Sequence, residues 1–187
     1  MYSMPLKSSL CYSVALATVA TATLAPVASA ATFNFSYTSS AGTITATVDG
    51  TLQPDNNRVF VSSISNTTFN GSPAPALPLI GSYLNSILAG GVVVTGQAVL
   101  SLDGAGLDFV ACNTTNCIDG FGFLPPNAIV GNTTDLFASG SAYGSTLPEL
   151  FVLANYSLTT VPEPATVLGL LSVAGVGLLC KGRKLEK

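Results

Sequence analysis

Alternation of polar and apolar residues constrains the fold of this chain more than any other feature. Residues 32–37 place Phe33, Phe35 and Tyr37 between threonine, asparagine and serine, and residues 42–52 place isoleucine, alanine and valine between threonines. A period of two residues puts one class of side chain on each face of a β-strand. The pattern therefore predicts two half-buried strands, and Asp49-Gly50 within the second predicts a bend or β-bulge.

Turn-forming clusters separate further segments of the same kind. Strands are predicted at residues 58–68, with an irregularity near Ser62-Ser63, and at 92–102, 107–112, 121–124, 134–143 and 151–160. Residues 103–106 predict a hairpin turn between two of these strands. Residues 77–88 place apolar side chains on one helical face, which fits a short helix or a loop crossing. About eight short strands predict an all-β fold, an antiparallel β-sandwich or a jelly-roll-like domain.

The charge distribution excludes nucleic-acid binding by the body of the chain. Residues 31–161 carry seven acidic residues and one basic residue, Arg58, for a net charge of −6. The other five basic residues lie in the two terminal segments. Binding to phosphate backbones needs clustered lysine and arginine, which this body lacks. Residues 31–160 are long enough for one domain of ordinary size.

Residues 1–30 have the pattern of a secretory signal peptide. Lys7 precedes an apolar stretch that begins at Leu10, and Ala28-Ser29-Ala30 supplies the small residues that precede a cleavage site. We therefore predict cleavage between Ala30 and Ala31. The competing interpretation is a retained N-terminal membrane helix.

The C-terminal segment, residues 161–187, combines three elements in a fixed order. The triplet Pro162-Glu163-Pro164 resists helix formation, because proline fixes its own φ and biases the preceding residue toward extended geometry. Residues 165–180 carry no charge and would span roughly 24 Å as a helix, near the lower end for a transmembrane helix. A basic tail, residues 181–187, follows with Lys181, Arg183 and Lys184. This order predicts a membrane helix with a cytoplasmic C-terminus, and a buried core helix is the alternative.

Together these three elements resemble the PEP-CTERM sorting signal of bacterial exported proteins. The resemblance is confined to the C-terminal tail, and Gly182, Leu185 and Glu186 depart slightly from an uninterrupted basic cluster. It implies processing by an exosortase, a membrane transpeptidase-like enzyme that cleaves near the triplet. It also implies a membrane-anchored precursor that is delivered to the cell surface or the extracellular matrix of bacteria that make exopolysaccharide.

Two of the four cysteines lie in the predicted domain. Cys112 and Cys117 enclose Asn113-Thr114-Thr115-Asn116, a turn-forming tetrad, and a disulfide is the expected state in an exported domain. So short a ring removes little entropy from the unfolded chain. We therefore expect the bond to contribute about 2 kcal/mol or less to stability.

No catalytic, metal or cofactor site is predicted. The chain has no histidine, which excludes Ser-His-Asp and Cys-His arrangements as well as imidazole zinc sites. Two alternatives use carboxylates instead: a pair could hydrolyse glycosides, and Asp103 with Asp108 could share a calcium ion. The candidate carboxylates are Asp103, Asp108, Asp119, Asp135 and Glu149. Aspartate next to glycine or asparagine more often has a backbone role in turns.

The sequence therefore predicts a non-catalytic exported protein with a structural or adhesive role. A carbohydrate-binding module of the exopolysaccharide matrix is the alternative, with extracellular polysaccharide as the partner. Sugar rings would need aromatic side chains to stack on, and the candidates are Phe33, Phe35, Tyr37, Phe121, Phe123 and Tyr143. In a sheet protein without tryptophan we expect these aromatic side chains in the core instead.

Overall fold

The structure, a computed structural model, describes residues 28–125, 135–144 and 146–162, and its strands form two antiparallel sheets. The strands are β1 (Ser29–Thr38), β2 (Thr43–Leu52), β3 (Arg58–Phe69), β4 (Ser72–Pro73), β5 (Leu79–Gly81), β6 (Val99–Ser101), β7 (Phe109–Cys112), β8 (Gly120–Leu124), β9 (Asp135–Ser139), β10 (Thr146–Leu150) and β11 (Tyr156–Thr160). One α-helix, α1 (Tyr83–Leu88), and 3-10 turns at Ser141–Tyr143 and Leu153–Asn155 complete the described elements. The predicted all-β fold is confirmed.

The first sheet has the order β11-β1-β2-β3-β4, and β6 also pairs with β3. Its long strands follow the alternation in the sequence, because Phe33, Ile44 and Val59 all face the core. The register shifts between Asp49 and Gly50, which pair with Ser63 and Val61 and leave Ser62 as the extra residue. This β-bulge confirms the irregularities predicted in both strands.

The second sheet has the order β10-β9-β8-β7-β5. Neighbours in each sheet are mostly consecutive along the chain, so these strands form meanders rather than the two Greek keys of a jelly roll. The two sheets nevertheless pack face to face, which is the arrangement of a sandwich. The two sheets enclose one apolar cluster, in which Phe35 of β1 stacks on Phe121 of β8 with the ring centroids 5.4 Å apart.

The prediction of a hairpin formed by residues 92–102 and 107–112 is wrong. Only Val99–Ser101 forms a strand, and it pairs with β3 of the first sheet, whereas β7 belongs to the second sheet. A single isolated bridge, between Val99 and Asp108, joins the two segments. Positive φ angles at Gly90, Gly91, Gly96 and Gln97 break the extended backbone that the alternation suggested.

Other differences concern the ends of elements. The ambiguous segment 77–88 divides into β5 and the short helix α1. Strand β9 ends at Ser139, and the predicted strand 151–160 is shorter because Leu153–Asn155 forms a 3-10 turn. The sequence pattern missed β10, whose Pro148 is atypical of a strand interior.

The membrane predictions fall largely outside the described residues. Residues 1–27 of the predicted signal peptide and residues 163–187 of the predicted tail lie outside them. Within the described ranges, no helix has the length and apolar character that a membrane crossing needs.

Candidate functional site

Both ends of the domain meet at one end of the first sheet. Strand β11 pairs with β1 up to Thr160, and the next residue, Val161, donates its N–H to the carbonyl of Thr32 at 2.8 Å. Ala30 and Ala31, which flank the predicted signal cleavage site, pair with Thr51 and Gly50 of β2. The predicted signal cleavage site therefore lies beside the start of the C-terminal tail.

An open cavity of about 340 Å³ lies where the two chain ends meet. Its lining includes Ala30, Ala31 and Pro162, and Pro162 is exposed. Of the predicted sorting motif, only Pro162 is described by the structure. The predicted basic residues Lys181, Arg183 and Lys184 also lie outside the described ranges, as do Glu163 and Pro164.

Asp49 ties three strands together at this cavity. Its carboxylate accepts hydrogen bonds from the hydroxyls of Thr32 and Ser63, each at 2.8 Å, while its carbonyl accepts one from Ser62 at 3.0 Å. The half-buried carboxylate therefore joins β1, β2 and β3 on the side of the sheet that faces away from the core. This role stabilises the end of the sheet from which the tail departs.

The outer side of the first sheet carries a polar, uncharged surface, which we call the hydroxyl face. It consists of Asn34, Ser36, Thr45, Thr47, Asn66, Thr68, Ser157 and Thr159. Thr45 and Thr68 share a hydrogen bond at 2.7 Å, and Asn66 donates to Thr47 at 3.2 Å. A shallow depression of about 360 Å³ runs across this face between β11 and β2. Hydroxyl and amide groups both donate and accept hydrogen bonds, so the face suits a neutral polar ligand.

The predicted disulfide between Cys112 and Cys117 is confirmed. The loop that it closes is also held by Asn113, whose amide donates to the Asp119 carboxylate and whose side-chain oxygen accepts from the Asp119 N–H, both at 2.9 Å. Cys112 is buried with Val93 and Val110 in a small apolar cluster on the outer side of the second sheet. The disulfide therefore holds one loop against the covered face of that sheet.

The candidate carboxylates have backbone roles in the structure. Asp108 accepts from the Ser82 hydroxyl at 2.6 Å and from the Leu84 N–H at 3.0 Å, next to the start of α1. Asp103 accepts from the Ala105 N–H at 2.9 Å, and this bond holds the pKa of the Asp103 carboxyl below its usual range.

Two of the remaining candidates also hold neighbouring segments in place, and Asp119 does so through Asn113 as described above. Glu149 accepts from the backbone N–H of Ser40 and from its hydroxyl, which joins β10 to the β1–β2 turn. The side chain of Asp135 lies outside the described set. No group of three or more side chains that could hold a metal ion occurs among the residues described.

The six aromatic candidates for sugar stacking are all buried in the core, as expected. Among the residues described, Phe60 is an exposed aromatic side chain, 48% exposed on the outer side of β3 beside Thr51. The threonine alternation predicted a polar face, but no site was predicted on it. Its extent became visible only with the strand pairing.

The identity of the C-terminal segment rests on a comparison with protein families. Residues 160–184 match the PEP-CTERM protein-sorting motif. The match confirms the resemblance inferred from the triplet, the apolar stretch and the basic cluster. The motif implies that this is an exported protein sorted to the cell surface by an exosortase. Comparison of the chain with curated proteins and with solved structures found no match.

Proposed function

We propose that this chain is a non-catalytic exported protein whose all-β domain, residues 31–160, has a structural or adhesive role at the cell surface or in the extracellular matrix. One observation supports this most directly: the PEP-CTERM motif begins at the last residue of β11. Only Val161 separates the folded domain from the triplet, so cleavage near Pro162-Glu163-Pro164 would leave the domain whole.

Delivery requires both ends of the precursor. In this proposal, signal peptidase cleaves between Ala30 and Ala31, and residues 165–180 hold the precursor in the membrane with the basic tail in the cytoplasm. Exosortase then releases the domain from this helix. The short connection to β11 keeps the domain close to its attachment point.

A truncation tests the adhesive role in cells. A chain that ends at Val161 has the complete domain but lacks the sorting segment. We expect it to appear in the medium, with loss of the surface-bound fraction and of the cell attachment that depends on this protein. Glu186→Ala is the matched control, because it leaves the triplet and Lys181, Arg183 and Lys184 unchanged. Attachment that persists without the tail would contradict the proposal.

The proposal that the protein is non-catalytic needs a separate test. The variant that tests it is Asp108→Asn, which removes the charge of one candidate carboxylate and keeps an oxygen that can accept from Ser82 and Leu84. Turnover of any polysaccharide by the processed protein, with loss of that turnover in the variant, would contradict this part. We expect no turnover by either protein.

Binding of a neutral polysaccharide is the second candidate function, and the hydroxyl face favours it. Asn34, Ser36, Ser157 and Thr159 line the depression and make no side-chain hydrogen bond to another described residue. Their donors and acceptors are therefore free for sugar hydroxyls. Because the stacking candidates are buried, each sugar unit would be held mainly by hydrogen bonds.

A binding comparison tests this candidate. We expect the processed protein to bind neutral polysaccharides more tightly than acidic ones, since its domain carries a net charge of −6. The double variant Asn34→Ala, Thr159→Ala should bind about tenfold more weakly, because each lost hydrogen bond costs about 0.5–1.5 kcal/mol. Ser72→Ala, at an exposed position outside the hydroxyl face, is the control. Equal binding by the double variant and the control would exclude the hydroxyl face as the site.

A further inference from the structure

Most sheet edges in the described part of the molecule are protected against pairing with another strand. Strand β4 has two residues and includes Pro73. The open side of β5 is covered by Gly96, whose N–H donates to the carbonyl of Ile80. Asp108 covers β6 in the same way, through two backbone hydrogen bonds with Val99. Strand β10 contains Pro148 and an irregular register. Short strands, prolines, irregular registers and covering segments are the usual means by which proteins prevent edge-to-edge association.

Strand β11 is the exception. It lies at the edge of the first sheet, its five residues pair with β1 in unbroken register, and it contains no charge, proline or glycine. Ser157, Thr159 and Thr160 are exposed. No described strand pairs with its other side, so β11 is an edge strand in the described part of the molecule.

The hydrogen-bond pattern identifies which groups point outward from β11. The bond from Val161 to Thr32 makes these two residues a hydrogen-bonded pair of the antiparallel ladder. Such pairs alternate with pairs whose backbone groups point away from each other. The outward groups therefore belong to Tyr156, Leu158 and Thr160, but the N–H of Tyr156 already donates to the carbonyl of Leu153. The open groups are the C=O of Tyr156 and both the N–H and the C=O of Leu158 and Thr160. Leu158 lies at the centre of these three.

We propose that β11 pairs antiparallel with β11 of a second copy of this chain, about a two-fold axis at Leu158. In this register Leu158 meets its own copy and Tyr156 meets Thr160. The open N–H groups of Leu158 and Thr160 then face the C=O groups of Leu158 and Tyr156 in the second copy, and no like charges oppose each other. This self-complementarity is the reason for choosing a second copy over another partner, and a symmetric dimer needs such an isologous patch.

The direction of the tails gives this pairing a function. Pro162 lies four residues beyond the axis, and a strand rises about 3.4 Å per residue, so the two tails would leave roughly 27 Å apart at opposite ends of the joined strands. Two chains attached through their C-terminal ends would then be attached to two facing surfaces. This step rests on the proposed surface display, and it gives the adhesive role a partner.

Cysteine cross-linking tests the register. Antiparallel pairing at Leu158 places Ser157 opposite Thr159 of the second copy as a pair without backbone hydrogen bonds, with Cα atoms about 4.5 Å apart, which is within disulfide range. A mixture of processed Ser157→Cys and Thr159→Cys proteins should form the mixed dimer under mild oxidation. Cross-linking of Ser157→Cys to itself alone would indicate parallel pairing and overturn the proposal.

Substitutions at Thr160 test the edge itself. Thr160→Pro removes an outward N–H while leaving the bonds between β11 and β1 in place, because proline is tolerated where the N–H faces solvent. Sedimentation of the processed wild-type protein should show a mass that doubles with concentration. Thr160→Pro should remain a monomer, and Thr160→Val, which keeps the N–H, should behave as wild type.

Further outcomes separate the pairing from the proposed function. If Thr160→Pro lowers the melting temperature, Thr160→Lys replaces it as the test variant. It places a charge on the same edge and should also give a monomer. A wild-type protein that is monomeric at all concentrations overturns the pairing. Wild-type cells should also aggregate with one another more than Thr160→Lys cells. Normal surface delivery without dimers would refute the pairing alone, whereas absence from the surface would refute the proposed function.

Discussion

The two sheets differ in how many of their faces are covered. In the first sheet, β1 and β2 alternate between buried and exposed or half-buried residues, so that one face packs on the core and the other carries hydroxyls. In the second sheet, all four residues of β7 and the first four of β8 are buried. Val93 and Tyr83 pack on its outer side. A strand covered on both faces has no polar side, so its sequence does not alternate.

This difference changes what each sheet requires of the sequence. The first sheet tolerates many polar side chains because water meets one of its faces. The second needs small residues where neighbouring segments approach its backbone. A Cβ added to Gly81 would lie 1.8 Å from the carbonyl oxygen of Val94, which covers β5. The four predictions that follow test the contrast, from the largest expected effect to the smallest.

Phe121→Ala should have the largest effect, because Phe121 is fully buried between the sheets and contacts Phe35, Phe109 and Tyr143. We expect a loss of about 3–5 kcal/mol in the free energy of unfolding, measured by denaturant titration. Phe60→Ala is the control on the water-exposed face and should cost less than about 1 kcal/mol. Equal losses would contradict the contrast between the core that lies between the sheets and the water-exposed face of the first sheet.

Gly81→Ala should come next, since the new methyl group would meet backbone atoms that cannot rotate away. A loss of about 2–3 kcal/mol is expected from such overpacking. Gly106→Ala is the matched control, because a Cβ at Gly106 meets no atom within 4 Å. Thermal melts of both variants measure the difference. A Gly81 variant as stable as the Gly106 variant would contradict the close cover over the second sheet.

Reduction of the Cys112–Cys117 disulfide should lower the free energy of unfolding by about 2 kcal/mol or less, because the ring is short. Hydrogen exchange should accelerate at residues 113–119 and remain slow in β1 and β2. Before reduction, alkylation should leave both cysteines unmodified. Ready labelling of Cys112 and Cys117 in the unreduced protein would argue against the disulfide in the mature form.

The smallest expected effect is a pH response in the first sheet. Asp55 accepts hydrogen bonds from the N–H groups of Arg58 and Asn57 and pairs with the Arg58 guanidinium, which lowers its pKa to about 2. The unfolded value is about 3.9, so this contribution is complete above about pH 4 and is lost as the pH falls toward 2. Asp55→Asn should remove that part of the acid response, as NMR titration of the β2–β3 turn would reveal. An Asp55 titration midpoint near 4 would contradict the assignment.

The same contrast explains what the sequence could predict. The strands of the first sheet and the bulge at Ser62 follow from local alternation and turn residues. The prediction of a hairpin through Val99 was wrong because strand partners depend on contacts between residues distant in sequence. The left-handed backbone at Gly96 and Gln97 also interrupts the predicted strand. Strand β10 was missed because Pro148 is atypical of a strand interior and removed the local signal.

The functional features also divide into those that are local in sequence and those that depend on strand pairing. The sorting segment and the Cys112–Cys117 bond are local in sequence, and both predictions are confirmed. The meeting of Ala31 with Val161 and the extent of the hydroxyl face depend on the register of strands distant in sequence. Domain limits, cleavage positions and the absence of catalysis stay predictions.

The central claim is that the folded domain reaches the cell surface without its terminal segments. Intact mass spectrometry of the protein from the cell surface tests it most directly. We expect a chain that starts at Ala31 and ends between Pro162 and Pro164, apart from any group attached there during sorting. A surface form that retains Lys187 would contradict it.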